Sequence, residues 1–232
     1  MTYSANQAMN VFWENELLDK WLALCAGISV KGNSQYHYDL FKRLVYYYNQ
    51  PGRYYRTLDH IRYCLVKLDE VRELVPNPYI VELAIWFHNA IYKVWADDNE
   101  EGSADLAIFF ITKLMGLDTL FAMRVGYLVK NSAYFKNSPK IHITRDAEFF
   151  LDIDLSWIGD TEDVFDRNNI NVKREFDWMD PGELRIKQIV MFDFFLKREP
   201  FYLTEYFLDK YKAQARVNIE RAIRELTQQS AS

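Results

Sequence analysis

The feature that most constrains the fold is a helical spacing of apolar residues that recurs along the whole chain. It is clearest near the C-terminus, where apolar residues step by three and four positions with charged residues between them: Leu208, Tyr211, Ala215, Ile219, Ala222 and Leu226. This spacing places an apolar stripe along one side of a helix. Gly and Pro, with 8 and 6 copies among 232 residues, are too scarce for a loop-rich or all-β chain. We therefore predict an all-α fold.

The same periodicity predicts where the helices lie. Helix-start signals support several of them, including Thr57, Asn77–Pro78, Thr144 and Asp180–Pro181. The predicted helices cover roughly 6–27, 36–50, 57–75, 78–93, 101–115, 117–134, 144–158, 162–177, 182–197 and 204–228. No repeat, low-complexity tract or linker divides the sequence, so residues 1–232 are expected to form one helical-bundle domain.

Composition and charge exclude several classes of partner. Half of the residues are hydrophobic and the net charge is −5, with no cluster of Lys and Arg to neutralise nucleic-acid phosphates. Apolar stretches of about ten residues are too short to span a bilayer. The N-terminal sequence lacks a basic start, an apolar h-region and a cleavage site, and Cys25 and Cys64 lie in apolar helical segments. We expect a cytoplasmic protein with reduced cysteines that binds neither nucleic acid nor membrane, and we leave the oligomeric state open.

Two of the four histidines have positions that suit a buried site. His88 falls in the middle of the apolar face of its predicted helix, and His60 lies at the edge of the apolar arc of an earlier one. His37 and His142 are most simply surface or capping residues. A lone histidine on an apolar face is more often a hydrogen-bonded core residue than a metal ligand, so position alone leaves both interpretations open.

Asp154 strengthens the case for a metal site. It projects onto the apolar side of the helix predicted over 144–158, whereas Asp152 projects onto the opposite, polar side. A buried carboxylate is costly unless it is paired with a cation, a metal or several donors. Two histidines and an aspartate on the core-facing sides of three helices predict an inward-facing metal site, with a structural salt bridge to an arginine as the alternative.

The order His60, His88–Asn89, Asp154 resembles the H…HD…D pattern of the HD-domain metal-dependent phosphohydrolases. The resemblance runs from about residue 36 to 228, through the blocks RYYRTLDH, LAIWFHNAIY, DDNEEGSA, FLDIDLSWIG, VKREFDWM, FLKREPFYLTEYF and QARVNIERAIREL. It is closest to the group of predicted HD phosphohydrolases. The resemblance implies a helical bundle of the HD type, with His60, His88 and Asp154 as metal ligands.

The sequence departs from the family pattern at three places. Asn89 stands where the family has the aspartate of its HD pair, and Arg56 stands where it has the first histidine of Y-H-x-x-x-H. The region LVKNSAYF lacks the histidines that the family carries before its last aspartate. Asparagine brings no charge and bridges two ions poorly, so the resemblance implies a single divalent ion (Mn, Fe, Zn or Mg) or no ion at all.

Further site residues follow from the resemblance and from side-chain chemistry. Glu100 lies in the segment that resembles the family's D-N-E-x-x-S-A block, and Asn89 and Glu100 are therefore the candidate catalytic residues. Arg53 and Arg56 lie about one turn apart and are the candidate phosphate-binding residues, because a guanidinium binds phosphate oxygens in pairs. Arginines that cap or bridge helices, and acidic residues that favour a helix N-terminus, are the alternatives for these positions.

Three functions remain open at this point. The resemblance implies a metal-dependent hydrolase of a small phosphorylated, nucleotide-like compound that works through a reduced metal site. The second is a catalytically inactive relative that binds a ligand or partner without turnover. The third is a structural or interaction protein in which the polar residues hold the core together.

Overall fold

A computed structural model describes residues 5–133 and 143–228, and it describes the side chains from residue 14 onward. Within these ranges the chain is helical and contains no strand, which confirms the predicted all-α fold. The α-helices are α1 (Ala5–Gly27), α2 (Ser34–Tyr48), α3 (Leu58–Val71), α4 (Pro78–Phe87), α5 (Asn99–Phe109), α6 (Thr119–Lys130), α7 (Arg145–Leu155), α8 (Glu162–Glu175), α9 (Pro181–Lys197) and α10 (Glu205–Gln228).

Three short helical segments extend these elements. The 3-10 turns are Arg72–Leu74 after α3 and Ser156–Gly159 after α7, and Phe110–Leu114 continues α5 as a π-helical turn. Most observed boundaries lie within a few residues of the predicted ones, because the start signals act as expected. Pro78 and Pro181 occupy the first turns of α4 and α9, and Thr144 caps α7 by accepting a hydrogen bond from the backbone N–H of Ala147.

The core is organised around α4, whose residues from Ile80 to Phe87 are all buried. This helix packs against α3, α5, α6 and α7, and α1 and α2 pack against each other. Trp86 of α4 meets Trp21 of α1 edge to face, with ring centroids 5.5 Å apart. A helix enclosed on all sides can carry apolar residues in every direction, which explains why IVELAIWF is apolar at every position but one. Glu82, the charged exception, is ion-paired with Arg72.

The predicted helix over 78–93 is too long, because α4 ends at Phe87 and His88 is its C-cap. Side chains take over the backbone hydrogen bonds beyond this point. Arg53 donates to the carbonyls of Asn89 (2.6 Å) and Ala90 (2.8 Å), and the Ser103 hydroxyl bonds both the N–H and the carbonyl of Ile91. These contacts satisfy backbone groups that a continuing helix would have paired internally.

The prediction that Asp152 faces the polar side of its helix is also wrong. Its side chain is fully buried and accepts hydrogen bonds from the backbone N–H groups of Leu203 (2.8 Å) and Thr204 (2.7 Å) and from the Thr204 hydroxyl (2.8 Å). Almost all of α7 is buried, so it has no polar side for Asp152 to face. These donors, just before α10, offset only part of the desolvation, and burial raises the pKa of Asp152 to about 6.

Close packing fixes the end of the segment that carries Asp154. A Cβ atom on Gly159 would lie 2.4 Å from the carbonyl oxygen of Tyr211 and 2.9 Å from the hydroxyl of Tyr202. Glycine is therefore required where the turn after α7 lies against α10. None of the described helices is both long enough and apolar enough to cross a membrane.

Candidate metal centre

Three elements bring His60, His88 and Asp154 together. His60 lies in the first turn of α3, His88 caps α4, and Asp154 lies in the last turn of α7. The Nε2 atom of His60 is 3.2 Å from Nε2 of His88 and 2.9 Å from Oδ1 of Asp154, and the remaining pair is 3.4 Å apart. Among the described residues these three form the group of His, Cys, Asp or Glu side chains that could share one ion. The predicted convergence is confirmed.

A backbone hydrogen bond orients the imidazole of His88. Its Nδ1 atom lies 2.8 Å from the carbonyl oxygen of Ile85, one turn back in α4, and donates to it. In a neutral imidazole the lone pair is then on Nε2, which faces His60 and Asp154. Metal-ligating histidines are commonly held in this way, because the hydrogen bond fixes both the tautomer and the ring orientation.

The electrostatics favour a neutral His60 beside an ionised Asp154. Burial lowers the pKa of His60, although its hydrogen bond to Asp154 opposes the shift. Burial would raise the pKa of Asp154, but the charge and hydrogen bonds of His88 and His60 outweigh it and hold that pKa well below its usual range. A neutral His60 and an ionised Asp154 are the protonation states that metal ligands need.

The distances fit a divalent ion. Two ligand atoms about 2.1 Å from one ion lie about 3.0–3.4 Å apart when the bond angle is between about 90° and 109°. The observed separations of 2.9, 3.2 and 3.4 Å match this spacing. Two imidazoles and one carboxylate are also a ligand set that leaves coordination positions for substrate and water.

A cavity of about 420 Å³ opens beside the cluster, and His88 and Asp154 lie in its wall. The polar residues of its wall are exposed or half-buried and include Arg56, Tyr92, Asp97, Asn99, Glu100 and Ser132. The turn after α7 and helices α8 and α9 supply an apolar part of the wall, which we call the apolar chamber; it consists of Trp157, Ile158, Val172, Met191, Phe192 and Phe195, with the amide of Asn169 among them. The cluster therefore borders a space large enough for a small organic molecule.

The candidate catalytic residues lie in this cavity but outside the metal cluster. Asn89 follows His88, is half-buried and forms part of the cavity wall, as does Glu100 in the first turn of α5. They are separated by the non-helical segment that joins α4 to α5. Sequence reasoning identified both positions through the family blocks, and their catalytic role stays a prediction.

The structure gives both candidate phosphate-binding arginines protein partners. Arg53 binds the carbonyls at the end of α4 and does not form part of the cavity wall. Arg56 does, and its guanidinium is ion-paired with Glu175, donates to the Tyr92 hydroxyl at 3.2 Å and lies 4.3 Å from the Tyr92 ring centroid. These are the contacts expected of bridging arginines, and phosphate binding by either stays a prediction.

Glu175 stabilises a segment next to the site, and the sequence analysis does not predict this role. Its fully buried carboxylate accepts hydrogen bonds from the backbone N–H groups of Tyr54, Tyr55 and Arg56, at 3.0, 2.9 and 2.9 Å. It thereby ties the end of α8 to the segment that leads into α3 and His60. It lies in the block VKREFDWM, but helical periodicity does not distinguish it from a surface carboxylate.

A scan against family models, a search of curated proteins and a search of solved structures each returned no match. The HD resemblance therefore stays a prediction that rests on the sequence blocks. The structure shows an all-α fold in which His60, His88 and Asp154 lie close enough together to share one ion.

Proposed function

We propose that the protein is a metal-dependent phosphohydrolase of the HD type that acts on a small phosphorylated compound. The observation that carries the proposal is the convergence of His60 Nε2, His88 Nε2 and Asp154 Oδ1 within 3.4 Å at the wall of a cavity. A divalent ion supplies Lewis acidity toward a phosphoryl oxygen and lowers the pKa of water, which is the chemistry that phosphate-ester hydrolysis needs.

The surrounding side chains have distinct tasks in this proposal. His60, His88 and Asp154 would hold the ion, with the Ile85 carbonyl fixing the ring of His88. Glu100 would accept the proton of the attacking water, and Asn89 would hydrogen-bond the substrate or water through its amide. Arg56 would offset substrate charge, although it shares its own charge with Glu175.

A ligand-binding protein without turnover is the second candidate. Asn89 favours it, because an uncharged amide occupies the position of an anionic ligand in the family pattern. The described part of the chain adds no fourth acidic or histidine ligand to the cluster. A site of this kind would hold one ion and a phosphorylated ligand while catalysing slowly or not at all.

Release of inorganic phosphate from a panel of phosphomonoesters, including nucleotides, tests the proposal. The assay should be run with Mn²⁺, Fe²⁺, Zn²⁺ and Mg²⁺ in turn. We expect activity with at least one ion, and loss of about a hundredfold or more in His60→Gln. His37→Gln is the matched control, because His37 lies away from the cluster and contacts the Val30 carbonyl. Equal activity in both variants, or ligand binding without phosphate release, would contradict hydrolysis at this site.

A further inference from the structure

We propose that the apolar chamber holds an uncharged, apolar body of the substrate, carrying at most one hydrogen-bond acceptor, which faces Asn169. The proposal rests on the proposed function for the phosphoryl end of the molecule, which the metal cluster would hold. It narrows the substrate from any small phosphorylated compound to a phosphomonoester of an apolar, preferably aromatic, alcohol or phenol. A nucleoside body does not suit this space.

The walls of the chamber are the first observation. Trp157, Ile158, Phe192 and Phe195 are buried, and Val172 and Met191 are half-buried. They come from the turn after α7 and from α8 and α9, and they lie in the same cavity as His88 and Asp154. An apolar group that enters this space loses its contact with water, which is favourable in proportion to the area removed. Aromatic walls also favour a flat ring.

The amide of Asn169 is the second observation. Asn169 is only 8% exposed, and its Oδ1 atom accepts one long hydrogen bond from Gln188 at 3.4 Å. Within residues 5–133 and 143–228, its Nδ2 group donates to no protein acceptor. The Nδ2 group is open to water in the cavity, and it would lose that partner when an apolar body fills the chamber. One acceptor on the ligand body would satisfy it.

The distribution of charge is the third observation. The charged side chains of the cavity wall are Arg56, Asp97, Glu100 and Asp154, and none of them comes from the turn after α7 or from α8 or α9, which supply the chamber. The end that would hold a phosphoryl group is therefore polar, and the end that would hold the rest of the molecule is not. A ligand that matches both ends has an anionic head and an uncharged, apolar body.

A nucleoside fits this arrangement poorly. A base and a ribose together carry several donors and acceptors, whereas Asn169 is the polar side chain of the chamber wall. Each polar atom buried without a partner weakens binding by roughly fivefold to a hundredfold. A phenyl ring buries its whole surface without this loss.

Binding of phosphonates, which resist hydrolysis, tests the proposal. The affinities of phenylphosphonate, methylphosphonate and AMP should be measured by calorimetry on the full chain loaded with Mn²⁺. We expect phenylphosphonate to bind at least about tenfold more tightly than methylphosphonate, because the ring is removed from water. Phenylphosphonate no tighter than methylphosphonate, or AMP tighter than phenylphosphonate, would overturn the proposal.

A pair of identical substitutions locates the binding. Val172→Trp should fill the chamber and abolish the advantage of phenylphosphonate over methylphosphonate, with Mn²⁺ affinity unchanged. Val190→Trp is the control, since Val190 lies on the outer face of α9 and is 62% exposed. Met191→Trp replaces Val172→Trp if the latter does not fold. If phenylphosphonate still binds more tightly than methylphosphonate to Val172→Trp, its ring binds elsewhere and the proposal is overturned.

An uncharged probe separates failure of the chamber from failure of the metal site. If neither phosphonate binds, saturation-transfer NMR with indole on the metal-free protein decides. Indole binding that is lost in Val172→Trp and kept in Val190→Trp supports the chamber and contradicts the phosphoryl site. Absence of indole binding in the unmodified protein overturns the chamber itself.

Discussion

At the scale of single residues, the orientation of His88 decides what the cluster can bind. The hydrogen bond from Nδ1 to the Ile85 carbonyl directs the lone pair of Nε2 towards His60 and Asp154. The carbonyl belongs to the last turn of α4, so the end of the helix and the orientation of the ring are one feature. Nε2 of His88 would therefore need little rearrangement to coordinate an ion.

The amide of Asn89 gives the first prediction. Asn89→Asp should raise the affinity for Mn²⁺ or Zn²⁺ by about tenfold, roughly 1.4 kcal/mol, because an anionic group offsets the charge of the ion. Titration calorimetry on both proteins measures the difference. Equal affinities would mean that residue 89 is not at a ligand position, and the alignment of HN with the family's HD would be wrong.

Arg56 gives a prediction about stability. Arg56→Ala should lower the free energy of unfolding by about 1–3 kcal/mol, because the buried carboxylate of Glu175 loses its charged partner. Arg56→Lys should recover part of this loss by keeping the charge. Urea denaturation measures both variants. An unchanged stability of the metal-free alanine variant would instead favour a guanidinium reserved for phosphate.

At the scale of elements, the joint between α4 and α5 depends on a side chain from another part of the chain. Arg53 donates to the carbonyls of Asn89 and Ala90 and to that of Arg56 at 3.1 Å, and it lies between the rings of Tyr48 and Tyr92. It holds the segment that follows His88 against the segment that precedes His60. Two of the three candidate metal-ligand positions are thus connected through one guanidinium.

Removal of this connection should be measurable. Arg53→Leu should cost about 1–3 kcal/mol of unfolding free energy, because buried carbonyls lose their donor, and it should weaken Mn²⁺ binding. Arg43→Leu is the control, as Arg43 is exposed on α2. Equal stability and metal affinity in the two variants would mean that water or another donor replaces the guanidinium.

The sequence predicts the helices better than it predicts their ends and faces. Apolar spacing and cap residues locate α3, α7 and α10 closely, because these signals are local. The end of α4 depends on Arg53 and Ser103, which are distant in sequence. Local helix propensity therefore does not predict where α4 ends. The prediction for Asp152 is wrong because helical periodicity assumes that one side of the helix faces solvent, and α7 has almost no such side.

The site follows the same division. His60, His88 and Asp154 were found because their helical phase and order are visible in the sequence. Glu175 and the apolar chamber depend on how α8 and α9 pack against the turn after α7. That packing is a tertiary property, and the periodicity of a single sequence does not predict it.

At the scale of the whole molecule, burial should keep both cysteines unreactive. Burial raises the pKa of Cys25 to about 12 and that of Cys64 well above its usual value, and both side chains are fully enclosed. We expect no reaction with Ellman's reagent at pH 8 in the native protein and two equivalents in guanidinium chloride. Rapid reaction of either thiol without denaturant would show that the core around it opens readily.

The central claim is that His60, His88 and Asp154 form a binding site for one divalent ion. Elemental analysis of protein purified without chelator or affinity metal, followed by Mn²⁺ titration, tests it most directly. We predict up to one ion per chain in the unmodified protein and in His37→Gln, and loss of binding in His88→Gln and Asp154→Asn with their helical circular-dichroism spectra retained. Failure of the unmodified protein to bind any divalent ion, or undiminished binding in these two variants, would contradict the account.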